Sequence, residues 1–395
     1  MYERLNDFIS WIGIKDFQGK YFENWYPVSG MHYHSYLIKD KKTALLDTVD
    51  AKFSTNYFND LKRALGNQTL DYLIISHMEP DHAGSIETIF KMYPQLILVG
   101  NHKTRKLLEQ FFQLDLNNRF LCVNDRESLN LGQNNLVFYF APMVHWPEVM
   151  VSYCPEQQIL FSADAFGSFG AYPEMYFNET NNHVEYLSEM RRYYANIVGK
   201  YGNSVQKLLQ NLTTLQIRTI YPLHGLFIRQ KDIHNIIDYY QKWSQYLPEE
   251  QGTLILYASI YGNTEEAVKE LSLHLKGNQK IINLMQTHLS YPLGETFRYS
   301  HLVLASPTYN NGLFDTMENF LTACVNHQLK NRTVALIENG SWAPRANALM
   351  QEWLKKLNDI TLLSNTISIH STLSENNRES LKQLAKDIRQ SMEVI

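Results

Sequence analysis

The sequence predicts an α/β protein built in two parts, and three observations predict it. Short apolar runs rich in β-branched residues alternate with longer runs whose apolar residues recur at helical spacing. In the first part, several of the apolar runs end a few residues before a histidine, an aspartate or a glutamate. After a polar break at 245–252 the alternation becomes regular, strand then helix, which implies a parallel sheet with helices on both faces.

A chain of 395 residues, 44% of them hydrophobic, can form two or three ordinary globular domains. The formal charge of −4 is close to neutral, so no nucleic-acid partner is expected. Cys122, Cys154 and Cys324 lie far apart with no C-x-x-C pair, which argues against a disulfide framework and against a cysteine-held iron or zinc site. No apolar run approaches the length of a bilayer span, and the opening MYERLNDFIS lacks a signal-peptide pattern. A soluble cytoplasmic protein with no membrane partner is the expectation.

Taken in order, 11–13 and 36–38 read as strands around a loop containing Pro27, Ser29 and Gly30. Lys41 and Lys42 make a turn, and 43–47 resumes the strand pattern. Phe53, Tyr57, Phe58, Leu61 and Leu65 give 53–65 an amphipathic helical face. The run 72–75 is a buried strand, HMEPDH follows at 77–82, and Ile86, Ile89, Phe90 and Tyr93 then recur at helical spacing. The motif therefore sits in a turn at a strand's carboxyl end, where layered α/β folds place their chemistry. Further strands are expected at 96–99, 136–140, 158–162 and 218–221, with helices at 104–112 and 233–243.

His77, Glu79, Asp81 and His82 put two imidazoles and two carboxylates within six positions. That donor set suits a divalent transition metal better than calcium, which wants oxygen alone. A solvated charged turn is the plain alternative, and four ligand types so close together speak against it. His145, Asp164 and His224 each follow an apolar strand by a few residues. Singly, each reads equally well as a packing histidine, a capping aspartate or a strand end. Together they place donors at four strand ends, which converge if the strands lie side by side. The full set is too large for one four-coordinate ion but suits two ions sharing a carboxylate, with Asp164 the natural bridge. Zinc, manganese and iron all satisfy coordination rules, and the carboxylate content tilts the choice toward iron.

The second part opens with a strand at 253–258 and a helix at 265–275. Between them, Ser259, Ile260, Tyr261, Gly262, Asn263 and Thr264 form a loop with neutral donors, a flexible glycine and a helix amino end behind it, the chemistry of a phosphate cradle. It contains no lysine, so it is not a nucleoside-triphosphate loop. Later strands are expected near 280–284, 301–305, 333–337 and 360–369, and a helix ends the chain. Pro307, Thr308, Tyr309, Asn310, Asn311 and Gly312 follow one of these strands; Asn339, Gly340, Ser341 and Trp342 follow the next. Both loops offer backbone groups to a polar ring, and Tyr309 and Trp342 offer faces to stack on it.

These motifs resemble a known family. The first part is similar to metallo-β-lactamase-like domains, and more closely to the diiron domain of flavodiiron proteins. H-x-E-x-D-H stands here, with Glu79 where hydrolytic members carry a second histidine. LFSADAFGSFGA at 160–171, RRYYANIV at 191–198 and SPTYNNGLF at 306–314 also resemble that family. The resemblance implies a metallo-β-lactamase-like αββα sandwich over 1–247, followed by a flavodoxin-like doubly wound parallel sheet over 252–395 that binds FMN. It implies one iron on His77, Glu79 and His145, a second on Asp81, His82 and His224, and Asp164 between them. Tyr194, Tyr193 or His34 would supply protons or hydrogen bonds. HYHSYLI, from His32, departs from the family's T-Y-N-x-Y-L-I, so His34 is either a donor near the site or loop filling. The implied activity is electron transfer from FMN to a non-haem diiron centre that reduces dioxygen to water or nitric oxide to nitrous oxide. Rubredoxin, a flavin reductase or reduced deazaflavin would supply electrons, and the assembly would be a head-to-tail homodimer or a pair of such dimers. The alternatives are a zinc hydrolase with a regulatory flavodoxin-like domain, and an electron carrier with a structural metal site.

Overall fold

Strand pairing in the first half of the chain closes two separate sheets. The computed structural model describes residues 2–393, and the chain divides into two compact units. The first runs to Met190 and adds Asn203–Gln241; the second takes Arg191–Gly202 and everything from Lys242. The second unit thus includes RRYYANIV, from inside the stretch that the sequence assigns to the first part.

In the first unit, one sheet orders its strands Glu3–Arg4, Ile9–Trp11, Tyr36–Lys39, Thr43–Leu46, Tyr72–Ile74, Ile97–Gly100 and Phe120–Cys122. The other orders Ser128–Asn130, Asn135–Phe140, Met150–Cys154, Ile159–Phe161, Thr219–Tyr221 and Ile228–Arg229. Thr43–Leu46, Met150–Cys154 and Ile159–Phe161 are buried at every position. That is the signature of strands covered on both faces, and it explains why they do not alternate apolar with polar residues. The fold is the expected αββα sandwich. The sequence reading missed the strand at Met150–Cys154. Pro80–Ala83, expected as part of a turn, is a short helix that Pro80 opens and that carries Asp81 and His82.

The second unit holds one sheet ordered Gln279–Asn283, Glu250–Tyr257, Tyr299–Tyr309, Arg332–Asn339 and Ile360–Leu362, all parallel. By chain order this is 2-1-3-4-5, the flavodoxin-like doubly wound arrangement. Two details depart from the sequence reading. The polar break is already strand from Glu250, which pairs with Tyr299 before a bulge shifts the register to Thr253 and His301. The single strand expected at 360–369 is two, Ile360–Leu362 and Ile367–Ile369, both paired with Arg332–Asn339. The register explains the break: the partner advances from Val334 to Ile337 while this strand advances from Leu362 to Ile367, so the intervening residues must loop out. Among the described residues, no helix is long and apolar enough to cross a membrane.

Candidate metal centre and cofactor pocket

The 77–82 loop is tied down on several sides. The Asp47 carboxylate accepts the Ser76 N–H at 2.8 Å, and the Glu148 carboxylate accepts the Met78 N–H at 2.8 Å. The Thr48 hydroxyl donates to the His82 carbonyl at 2.6 Å. All three anchoring side chains are buried, so the loop is held by groups that have no competing water.

The fold brings all seven candidate ligands into two adjoining groups, His77, Glu79, His145 and Asp164 in one, and Asp81, His82 and His224 in the other. Asp164 faces both. Its Oδ2 lies 3.2 Å from His77 Nε2 and 3.0 Å from His145 Nε2, while its Oδ1 lies 3.8 Å from His82 Nε2 and 3.7 Å from His224 Nε2. Glu79 Oε2 lies 2.9 Å from His145 Nε2, and Asp81 Oδ2 lies 3.3 Å and 3.2 Å from His82 and His224 Nε2. His82 Nε2 and His224 Nε2 approach to 2.9 Å. Two imidazole nitrogens cannot face each other at that range unless a proton or a cation lies between them. Phe22 packs edge-on against His224 at 5.2 Å between ring centres, and Tyr33 does so at 5.7 Å, so one wall of the cluster is aromatic.

Electrostatics follow the geometry. Burial alone would lower the imidazoles of His77 and His145, but Asp164 and Glu79 outweigh it. His77 is held well above the ordinary histidine range and His145 rises to about 10. Burial pushes His82 down to about 4. Burial likewise opposes ionisation of Asp164, yet His77, His145 and His224 hold it well below the usual carboxylate range. Among the described residues, His77 Nδ1 and Nε2, both carboxylate oxygens of Asp81 and Oδ1 of Asp164 are buried without a hydrogen bond. Buried carboxylate oxygens in that condition are costly unless a cation compensates them, so the donor set fits a pair of metal ions.

Glu23 escaped the sequence reading. It sits on an exposed hairpin between Tyr21–Phe22 and Tyr26–Pro27, yet its carboxyl reaches the cluster and hydrogen-bonds Glu79. Burial, then repulsion from Glu79 and Asp81, push its pKa up to about 9. Tyr194, by contrast, is not among the residues of either group. It is buried in the second unit against Trp243 and Phe297, at 5.2 and 5.8 Å between ring centres. His34 is a buried neighbour of the His224 turn rather than a member of the cluster.

In the second unit, a pocket of about 410 Å³ opens where the loops after the first and third strands diverge. That is the topological switch point of a doubly wound sheet. Ser259, Ile260, Tyr261, Asn263 and Thr264 line it from the first loop, Pro307 to Asn311 from the second, and Asn339 to Trp342 from the third. Gly262 and Gly312 shape the loops without lining the pocket; Ala343 and Ser371, which the sequence did not suggest, line it too. Gly262 takes φ 89° at the start of helix Asn263–His274, a left-handed conformation that sets the helix's amino end, with Asn263 and Thr264, at the pocket wall. Asn310 and Asn311 both take left-handed backbone, φ 49° and 61°, to turn the chain back from Tyr309 to Gly312. Trp342 is 92% exposed and Tyr261 is 91% exposed, so neither aromatic has a packing role in its own chain.

Residues 31–225 match a family model described as "ODP family beta lactamase". The chain is 31% identical over 364 residues to a nitric oxide reductase of Moorella thermoacetica, covering 89% of each chain. Among solved structures it is similar to rubredoxin oxygen:oxidoreductase from the anaerobe Desulfovibrio gigas, with TM-score 0.93, 24% identity and coverage of 100% of this chain and 99% of that one. It is also similar to the flavodiiron protein of Giardia intestinalis, with TM-score 0.91, 23% identity and coverage of 100% and 98%.

Proposed function

The chain belongs to the flavodiiron protein family, and from that premise we propose that it reduces dioxygen to water or nitric oxide to nitrous oxide. When bound, FMN and a pair of irons supply the electron transfer to the gas. One observation carries the reading: Asp164 turns one carboxylate oxygen toward each of two separate donor groups. A zinc hydrolase is not favoured, because Glu79 hardens the site and a hydrolase has no use for a flavin pocket.

His77, Glu79 and His145 would hold one iron; Asp81, His82 and His224 would hold the other, and Asp164 would bind both. The aromatic rings of Phe22 and Tyr33 keep water from the His224 side. The N–H groups at the start of helix Asn263–His274 would take the FMN phosphate, and Tyr309 or Trp342 would stack on its ring. An external carrier such as rubredoxin, a flavin reductase or reduced deazaflavin would feed the flavin. A head-to-tail homodimer, or a pair of such dimers, in the cytoplasm completes the reading, and the open aromatic rim of Tyr261 and Trp342 supports an apposed partner.

The test is gas uptake. Protein loaded with iron and FMN, and reduced through rubredoxin and its reductase, is given dioxygen or nitric oxide in turn. Consumption of either gas without accumulated peroxide is the expected result. Uptake of neither by fully loaded protein would overturn the proposal, and a monomer that is fully active in dilute solution would overturn the dimer.

A further inference from the structure

Two buried histidines outside the metal cluster grip the turn that carries His224. Segment 32–34 makes four hydrogen bonds to 223–225. His224 Nδ1–H donates to the His32 carbonyl at 2.6 Å, and the His34 N–H donates to the Leu223 carbonyl at 2.9 Å. The rings of His32 and His34 both reach the Gly225 carbonyl, through Nδ1 at 3.0 Å and Nε2 at 2.7 Å. Both rings are fully buried.

Protein groups decide which ring nitrogens carry the protons. The Trp11 indole can only donate, and it lies 2.8 Å from His34 Nδ1. His34 Nδ1 must therefore accept, which leaves the proton on Nε2, aimed at Gly225. On His32, Nε2 accepts the Tyr172 N–H at 3.0 Å, which leaves the proton of the neutral ring on Nδ1, again aimed at Gly225; the Tyr172 carbonyl, 3.1 Å from the same Nε2, would take the second proton of a charged ring. His224 in turn gives its Nδ1 proton to a carbonyl and presents the Nε2 lone pair to the cluster. Gly225 itself is irreplaceable here: it takes φ 82°, and a Cβ would lie 2.8 Å from Tyr186 Oη and 2.9 Å from Ser168 Cβ.

We propose that His32 and His34 are positioning residues for the metal centre, locking the 223–225 turn and through it the tautomer and aim of His224. The proposal rests on the reading of His224 as a metal ligand. Groups that orient a ligating histidine from behind are worth about 10- to 100-fold in metal affinity.

Metal-free protein titrated with cobalt(II), followed by its visible absorption, tests it. Wild-type protein should take up two ions. His34→Leu should bind one ion as wild type does and the other about 10- to 100-fold more weakly, with an altered spectrum for that ion alone. His34→Gln, which keeps a donor for Gly225 and an acceptor for Trp11, should recover most of the loss. Trp11→Phe should weaken the same ion by a smaller factor, because the ring then loses the group that fixes its tautomer. A folded H34L that binds both ions with wild-type affinity and spectrum overturns the proposal, as does an H34Q as weak as H34L, or a loss shared equally by both ions. Should H34L fail to fold, W11F decides, and wild-type affinity there overturns it. No cobalt uptake by wild-type protein is a different outcome, which sinks the metal-centre reading itself.

Discussion

Trp342→Ala isolates flavin binding from folding. The indole is 92% exposed, so its removal should leave the free protein's stability within about 0.5 kcal/mol. Stacking of an aromatic side chain on a flat heterocycle is worth about 1–3 kcal/mol. FMN affinity should then fall about 5- to 150-fold. Tyr309 makes the contrast: it is 48% exposed, and its ring lies edge-on to Phe314 at 5.7 Å. Tyr309→Ala should therefore cost both stability and affinity. The assay is quenching of FMN fluorescence on titration into flavin-free protein, paired with thermal melts of the same samples. Unchanged FMN affinity in both variants would refute the stacking argument, and with it the case that these loops exist to hold a flavin. A clear drop in the melting temperature of W342A would refute the premise that the indole is unpacked.

Three other outcomes are expected. Asp164→Asn keeps a single acceptor oxygen and cannot serve both donor groups, so elemental analysis should find one metal ion or none per chain; two ions at full occupancy would show that Asp164 is not shared. Gly262→Ala meets no neighbouring atom within 4 Å but must hold φ 89°, so urea denaturation should show a loss of about 1–2 kcal/mol from backbone strain alone, and an unchanged midpoint would contradict that. Burial lowers His32 from 6.5 to about 4, so the fold holds its neutral form; in metal-free protein the unfolded chain takes up this proton first as pH falls. His32 therefore costs nothing above pH 6.5 and removes about 3 kcal/mol of stability between pH 6.5 and 4, and His32→Gln should lack that part of the slope in urea melts across this range.

The candidate metal site is legible in the sequence where donors are dense and opaque where they reach in from afar. HMEPDH shows four donors in one turn, and its preceding apolar run fixes it at a strand end. Glu23 has no such local sign: it reaches the cluster from a hairpin whose two turn residues, Glu23 and Asn24, adopt left-handed backbone at φ 52° and 55°. The loops that line the pocket were legible because each directly follows an apolar strand, while the 2-1-3-4-5 order that sets them side by side depends on pairings between distant residues. Met150–Cys154 lacks a clear signal because the buried Ser152 interrupts its apolar run at the middle position.

Strand direction explains why the strand-end rule worked. Asn135–Phe140 runs antiparallel to Met150–Cys154, which runs antiparallel to Ile159–Phe161, which runs parallel to Thr219–Tyr221. The strands that precede His145, Asp164 and His224 therefore all point the same way, and their carboxyl ends share one edge of the sheet. Met150–Cys154 points the other way and ends at the opposite edge. Cys154, its last residue, is a metal-ligating side chain at a strand end that cannot join the cluster, and burial pushes its thiol up to about 12. A reader of the sequence counts donors after strands; the sheet admits only those whose strands run in the shared direction. That selection turns residues 19 and 60 positions apart in sequence into a single rim, and it leaves Asp164, just past the strand beside Thr219–Tyr221, with an oxygen turned toward each donor group.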